Sequence, residues 1–194
     1  MRLSLKNKLI SIGIDTGSVN GAISVVDEDL KILVLTKVPI YQTEVKSRRN
    51  KSKLNKETGK FEKSYRKRSW VDFKAVGELL EPYKDLTILY TLEKATTRSM
   101  EGEASSFMNG NALGIFQGIS TLLKPLEYYE PLPITWKTDL GVTSEKQTSI
   151  DLAEDLYQIK LKDYLPKGKV DDIAEALLLA FYGLRQHFNK KGEK

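Results

Sequence analysis

The order of apolar runs along the chain is the feature that most constrains its fold. Three short runs rich in β-branched residues come first, at 9–14, 22–26 and 32–35, with turn-forming residues between them. This pattern predicts an antiparallel three-stranded meander. A longer apolar run at 86–92 then predicts a buried strand that ends directly before Glu93.

Helical periodicity dominates the rest of the sequence, although Tyr128 and Tyr129 indicate one more short strand. The predicted helices start at Ser69, near Asn111, at Ser144 and near Asp171. A serine followed three residues later by an aspartate or a glutamine marks the first and third of these starts as capping boxes. The order β-β-β-α-β-α-(β)-α-α predicts an α/β fold, in which helices flank a mixed sheet of three antiparallel strands plus parallel strands.

The composition limits the chemistry that this chain can perform. Its 194 residues suit one domain, which we predict to span 1–194. The chain has no cysteine and one histidine, His187, so disulfides, thiolate catalysis and Cys-based zinc sites are excluded and histidine-dependent chemistry has little material. No apolar run approaches the roughly 20 residues of a membrane span, so we expect a cytoplasmic protein with no membrane partner. Catalysis must therefore use carboxylates, lysines or hydroxyls.

A basic insertion at about 42–69 interrupts an otherwise acidic chain. Positions 46–68 hold 11 of the 31 Lys and Arg residues but only two of the 26 Asp and Glu residues. Concentrated positive charge is typical of a surface that binds nucleic acid, and a solvated loop or a localisation signal is the alternative. Phe61, Tyr65 and Trp70 could stack on bases or anchor a hairpin around Thr58–Gly59. The candidate DNA-binding residues of the insertion are Arg48, Arg49, Lys51, Lys53, Arg66, Lys67 and Arg68.

Carboxylates follow two of the predicted strands and open the last predicted helix. Asp15 follows the first strand, Glu93 follows the run at 86–92, and Asp171, Asp172 and Glu175 lie in the first turns of the last helix. Helical spacing places Glu175 on one face with either aspartate, and like charges at that spacing repel unless a cation binds between them. Hard oxygen ligands suit Mg²⁺ or Mn²⁺. The five carboxylates therefore form a candidate divalent-metal site.

Each of these acids also has a purely structural interpretation. Asp171 or Asp172 could cap the helix, and Asp15 could form an Asx turn. Glu93 has the weakest structural alternative, because a carboxylate directly after a buried strand needs a partner. The conjunction of all three positions favours the metal site.

Three motifs occur in a characteristic order. The segment IGIDTG at 12–17 opens the meander, LEK at 92–94 follows the fourth strand, and VDDIAEAL at 170–177 begins the last helix. Together they resemble the RuvC family of Holliday junction resolvases, and more closely its phage and poxvirus branch, within the RNase H-like superfamily. The segment GNALG at 110–114 is similar to the start of the family's interface helix, and 135–137 with Lys146 resembles its later basic positions. The likeness spans nearly the whole chain.

The resemblance implies an RNase H-like fold and a Mg²⁺-dependent endodeoxyribonuclease that nicks branched DNA symmetrically as a homodimer, with Mn²⁺ as a substitute cation. Four-way junctions are the implied substrate, and forks and flaps are related ones. The implied catalytic, metal-binding carboxylates are Asp15, Glu93, Asp172 and Glu175, with Asp171 as a neighbouring candidate. The position that matches Glu175 is usually an aspartate in the family, and the glutamate side chain is one methylene longer.

Two lysines and one helix carry further expectations. Lys146 is a candidate catalytic residue and Lys137 a candidate DNA-binding residue, because both could stabilise charge on a phosphate; either could equally be solvated. The helix at 111–123, with Phe116 and Ile119, is the candidate dimer surface or else a buried helix. Phe107 and Met108, predicted to lie in the loop before that helix, could wedge into a junction or pack in the core.

The leading functional hypothesis is a structure-selective DNA endonuclease of the junction-resolving type. One alternative is a branched-DNA-binding module without catalytic activity. A second is an ATP-binding protein of the actin and Hsp70 type, because Asp15-Thr16-Gly17-Ser18 also resembles a phosphate-binding turn. That class needs two such lobes, whereas 194 residues provide one.

Overall fold

The structure, a computed structural model, describes residues 8–17, 20–46, 53–54, 61–62, 65–94 and 102–192. Its strands are β1 (Leu9–Asp15), β2 (Ala22–Asp27), β3 (Ile32–Lys37), β4 (Ile40–Lys46), β5 (Lys53–Leu54), β6 (Phe61–Glu62), β7 (Tyr65–Val71), β8 (Thr87–Leu92) and β9 (Glu127–Tyr129). Its helices are α1 (Phe73–Leu80), α2 (Glu103–Leu123), α3 (Pro133–Asp139), α4 (Lys146–Tyr157), α5 (Leu161–Tyr164) and α6 (Asp171–Gly192). None of the helices in these ranges is long and apolar enough to cross a membrane.

Five strands form the central sheet in the order β3-β2-β1-β8-β9. The first three pair antiparallel, whereas β8 is parallel to β1 and β9 is parallel to β8. The predicted meander, the strand at 86–92 and the short strand at 128–129 are therefore confirmed, as is the mixed α/β class. That residues 1–194 form a single domain stays a prediction.

Alternation along the strands separates the two faces of the sheet, because successive side chains point to opposite sides. One face carries large apolar residues of β1 and β2, such as Ile12, Ile14 and Val25, which pack in a buried cluster with residues of α1 and α2. The other face carries small residues, such as Ser11 and Gly13, and lies against α6, which also packs on α4. Both β1 and β2 are buried on both sides, so their polar residues are few and small apart from the aspartate that ends each strand.

Three local expectations are wrong. Ser69 lies inside β7, and the true N-cap of α1 is Asp72, whose carboxylate accepts a hydrogen bond from the Ala75 amide. Helix α4 begins at Lys146, and its cap residue, Glu145, makes no side-chain capping bond, so Ser144 does not cap it. Phe107 and Met108 lie within the helix α2.

The basic insertion includes an antiparallel ribbon of β4 and β7, with the short pair β5 and β6 between them in sequence. The ribbon is held at its base by Trp70. The indole Nε1 of Trp70 donates to Thr43 Oγ1 at 2.9 Å, and its ring meets Phe107 of α2 edge-on with centroids 6.1 Å apart. This anchoring favours the hairpin interpretation of Trp70. The predicted turn at Thr58–Gly59 lies outside the described residues.

Candidate functional site

The parallel pairing of β1 and β8 brings Asp15 and Glu93 side by side. Ile14 and Leu92 are register partners, and the Glu93 amide donates to the Ile14 carbonyl at 3.0 Å. Both acids follow the alternation that points towards α6, because Asp15 is two residues beyond Gly13 and Glu93 is two beyond Thr91. The carboxyl ends of two parallel strands thus present two carboxylates at one edge of the sheet.

Close packing of α6 on the sheet positions the other acids. A Cβ on Gly13 would lie 2.1 Å from the Ala176 carbonyl oxygen, so only glycine allows this approach. Ser24 Oγ donates to that same carbonyl at 2.8 Å, and Ser11 Oγ donates to the Ala180 carbonyl at 2.7 Å. Helix α6 therefore runs antiparallel to β1, and its first turn lies beside the end of that strand.

The four sequence-predicted acids Asp15, Glu93, Asp172 and Glu175 interact electrostatically at this point. Burial raises the pKa of Asp15 well above its ordinary value, and the charges of Glu93, Glu175 and Asp172 raise it further, against the opposing effect of a hydrogen bond from the Gly17 backbone. Asp15 is 9% exposed. The cluster thus stores unfavourable charge, as functional sites commonly do.

Three lysines from different elements contact the acids at the start of α6. Lys37, the last residue of β3, contacts Asp172; Lys146, the first residue of α4, contacts Asp171. Lys137 Nζ of α3 lies 2.7 Å from Glu175 Oε1. The sequence-predicted lysines 137 and 146 are therefore in the site.

The contact with Lys146 affects the pKa of Asp171. Helix α6 begins at Asp171, so both aspartates lie in its first turn, with their carboxylates on lysines. Although burial acts to raise it, the hydrogen bond from Lys146 and that from its own backbone hold the pKa of Asp171 below its ordinary value. The same hydrogen bond, which Lys146 donates to the Asp171 carboxylate, raises the pKa of Lys146.

Trp136 connects two of these groups. Its indole Nε1 donates to Glu93 Oε1 at 2.9 Å, and Lys137 Nζ lies 5.1 Å from the centre of its ring. The ring is fully buried, so it fixes the orientation of the Glu93 carboxylate. Trp136 is thus a positioning residue for the acid cluster.

The carboxylates of this cluster are of a type that suits a divalent cation, although they are not arranged around a single point. In the part of the chain that the structure describes, no three acidic or histidine side chains converge as a ready-made metal site. The carboxylates of Asp171, Asp172 and Glu175 instead hold the three lysines. Hard carboxylate oxygens that repel one another, at the start of a helix and at two strand ends, are nevertheless the ligand type that Mg²⁺ and Mn²⁺ prefer.

The DNA-binding candidates are only partly described. Arg48, Arg49 and Lys51 lie outside the described residues, and Lys53 and Arg66 are placed as members of strands only. Lys67 is exposed and Arg68 partly exposed on β7.

The dimer candidates belong to the core. Phe116 is fully buried and Ile119 is 8% exposed, both in the cluster between α2 and the sheet. The expectation that these side chains form a dimer surface is therefore wrong, and the buried-helix alternative is correct for them.

Sequence reasoning missed Lys37 and the role of Trp136. Lys37 lies two residues beyond the apolar run at 32–35, where a lysine is typical of a solvated strand end. Its signal lies in the register: Asp15, Ala22 and Lys37 occupy one row across β1, β2 and β3. Directly paired residues share a face of the sheet, so Lys37 points towards α6 as Asp15 does.

A mixed sheet in this strand order, with a long terminal helix across one face and acids at its strand ends, is an RNase H-like fold of the RuvC type. RuvC of Thermus thermophilus in complex with a Holliday junction substrate has a TM-score of 0.59 and 16% sequence identity, over 94% of this chain and 96% of that one. A second structure of Thermus thermophilus RuvC gives a TM-score of 0.51 at 15% identity, over the same shares of the two chains. No family model matches the sequence, and no curated protein matches it.

At these identities the likeness shows the fold. The predicted resemblance to RuvC-type resolvases is confirmed at that level. The placement in the phage and poxvirus branch stays a prediction.

The charge stored at Asp15 predicts a stabilising substitution. Asp15→Asn should raise the free energy of unfolding in EDTA by about 1 kcal/mol at pH 7.5, because the amide removes the buried charge. The folded-state pKa of Asp15 is raised, so the wild type gains stability as pH falls through that value and approaches the variant by pH 4. Urea unfolding at both pH values measures this, and a variant that is less stable at pH 7.5 would contradict it.

Proposed function

We propose that this chain is a divalent-cation-dependent DNA endonuclease that cuts Holliday junctions and related branched DNA. The observation that carries the proposal is that Glu93, Asp172 and Glu175 lie within electrostatic range of Asp15, at one edge of a sheet of the RuvC type. Neighbouring carboxylates repel one another and so destabilise the fold. A cation-dependent activity would explain why the protein has them at this position.

Asp15, Glu93, Asp172 and Glu175 would hold Mg²⁺ or Mn²⁺, with Asp171 beside them. Bound there, the metal would supply water activation and charge stabilisation for phosphodiester hydrolysis. Trp136 holds the Glu93 carboxylate in orientation. Lys137 and Lys146, already within the cluster, would stabilise charge that develops on the scissile phosphate.

The ribbon of β4 and β7 would bind the DNA arms. The exposed cations Lys46 and Lys67 lie on it, and the register pairs of the two strands place them on the same face. Its base is anchored to α2 through Trp70, so it is attached to the scaffold that carries the acids. Contacts to phosphate supply affinity without base recognition, as a structure-selective enzyme requires.

The active form would be a homodimer, because two symmetric nicks need two identical sites. The exposed face of α2 supports this. Gly110, Gly114 and Gly118 recur at four-residue spacing, a Cβ on any of them would meet nothing within 4 Å, and the neighbouring Leu122 is 79% exposed. Small residues at this spacing allow two helices to approach closely.

The first prediction from this function concerns the acids. Asp15→Asn and Glu93→Gln should each lower Mg²⁺-dependent nicking of a four-way junction more than tenfold, at least ~1.4 kcal/mol in the barrier, because an amide keeps the shape but loses the ligand charge. Junction affinity should remain within a few-fold. Nicking gels and band shifts, with linear duplex in parallel, measure both quantities.

The matched control is Glu78→Gln, an exposed residue of α1 that should leave nicking unchanged. Nicking above one tenth of the wild-type rate in either acid variant would remove that residue from the mechanism. A wild type that binds junctions but never cuts them would support the non-catalytic binding module instead.

The second prediction concerns the ribbon. Lys67→Gln together with Arg68→Gln should weaken binding to all DNA shapes and reduce the slope of log K against log[salt] by roughly 0.9 for each lost phosphate contact. Replacing 46–68 by a short neutral linker should reduce it by three to six such steps. Lys74→Gln on α1 is the control, and an unchanged slope would assign the insertion to another task.

The third prediction concerns assembly. Gly118→Arg should convert a dimer of 22.0 kDa chains into a folded monomer, because its Cβ lies in open space on the proposed interface. Glu78→Arg puts the same side chain on α1 and should leave the dimer intact. Light scattering and circular dichroism decide the point, and a wild type that is monomeric while nicking both junction strands would contradict it.

A further inference from the structure

Lys37 has a place in the site that its position in the sequence does not suggest. It ends β3 and shares a row of the sheet with Ala22 and Asp15. Its ammonium contacts the Asp172 carboxylate and also lies 3.3 Å from the Asn20 carbonyl oxygen. The side chain is 30% exposed, so a charge there is only partly screened by water.

The contact occupies a carboxylate that the proposed function needs. The charge on Asp172 contributes to the raised pKa of Asp15, so the two groups lie within electrostatic range. Nevertheless no three acids in the described ranges close around one point, and Asp172 is turned to the Lys37 ammonium. A divalent cation that binds Asp172 therefore meets a resident positive charge on the same carboxylate.

The other two lysines differ from Lys37 in this respect. Lys146 is 66% exposed and holds Asp171, which is only a neighbouring candidate. Lys137 holds Glu175 but also lies over the Trp136 ring, which gives its ammonium a second favourable contact. Among the described residues, Lys37 is the lysine that pairs with Asp172.

We propose that Lys37 is a positioning residue that competes with the divalent cation for Asp172 and thereby lowers the affinity of the site for that cation. The proposal rests on the proposed function, because it takes Asp172 as a cation ligand. In the cation-free protein the ammonium offsets repulsion between Asp172 and its neighbouring carboxylates. Without it, the cation-free state is less stable and the cation binds more tightly, since both effects share one thermodynamic cycle.

The test uses Mn²⁺ alone as the probe, with free Mn²⁺ counted by electron paramagnetic resonance. Lys37→Met should bind Mn²⁺ about two- to fivefold more tightly than wild type, the factor expected for loss of one partly exposed ion pair. Lys37→Arg keeps the charge and should stay within about twofold. Lys84→Met removes a surface lysine that pairs with Glu81 and should match wild type.

Thermal unfolding provides a second readout that a purely structural role would not produce. Lys37→Met should have a lower Tm than wild type in EDTA, and the difference should disappear at saturating Mn²⁺. Unchanged or weaker Mn²⁺ binding by Lys37→Met, or an equal loss of Tm in both conditions, would overturn the proposal.

Failure of the proposed function gives a different result. A wild type that binds Mn²⁺ no better than Asp15→Asn would refute the metal site itself and, with it, the competition. A wild type that binds Mn²⁺ better than Asp15→Asn, while Lys37→Met equals wild type, would refute the competition alone.

Discussion

The close contact between α6 and the central sheet is the constraint on which the site depends. Gly13 leaves no room for a side chain beneath the Ala176 carbonyl, and Ser11 and Ser24 bind carbonyls of α6 from the same face. Because Asp15 follows Gly13 on β1, and Asp172 precedes Ala176 on α6, this one helix–sheet contact fixes the distance between the two halves of the acid cluster. A larger residue at 13 would move the helix, and the carboxylates with it.

The cluster is an electrostatic compromise. Five carboxylates lie at the end of β1, directly after β8 and in the first two turns of α6, and three lysines from β3, α3 and α4 contact the helix acids. Each lysine comes from a different element, so the ion pairs also connect the sheet edge and two helices to the start of α6. Burial first, and then the charges of Glu93, Glu175 and Asp172, raise the pKa of Asp15, so repulsion among the acids persists beside the lysines. Such a site costs stability, and under the proposed function a bound divalent cation would offset the repulsion among its carboxylates.

Much of the fold follows from the sequence, because side chains alternate between the two faces of a strand and this two-residue periodicity is visible in the sequence. Isoleucines alternate with Ser11 and Gly13, so one face of β1 had to be bulky and the other had to accept a close neighbour. The positions of the acids were also predictable, because a chain of this length has few strand ends and few apolar helices that begin with aspartates. Boundaries were less predictable: Asp72 replaces Ser69 as the cap of α1 because pairing with β4 extends β7 to Val71.

The features that could not be predicted from the sequence are tertiary contacts. Phe116 and Ile119 follow the same periodicity whether they face a core or a partner, and only the packing of α2 on the sheet places them inside. Lys37 reaches Asp172 across 135 positions of sequence, through a register that no local pattern encodes. Trp136 looked like part of a basic motif, whereas its indole donates to Glu93.

The proposed metal site is tested most directly by anomalous diffraction from crystals of this protein soaked in Mn²⁺. If the proposed metal site is correct, a manganese peak will lie between Asp15, Glu93 and the carboxylates at the start of α6, with the Lys37 ammonium moved away from Asp172. Crystals in which those acids keep their lysines at saturating Mn²⁺, with no peak among them, would contradict it.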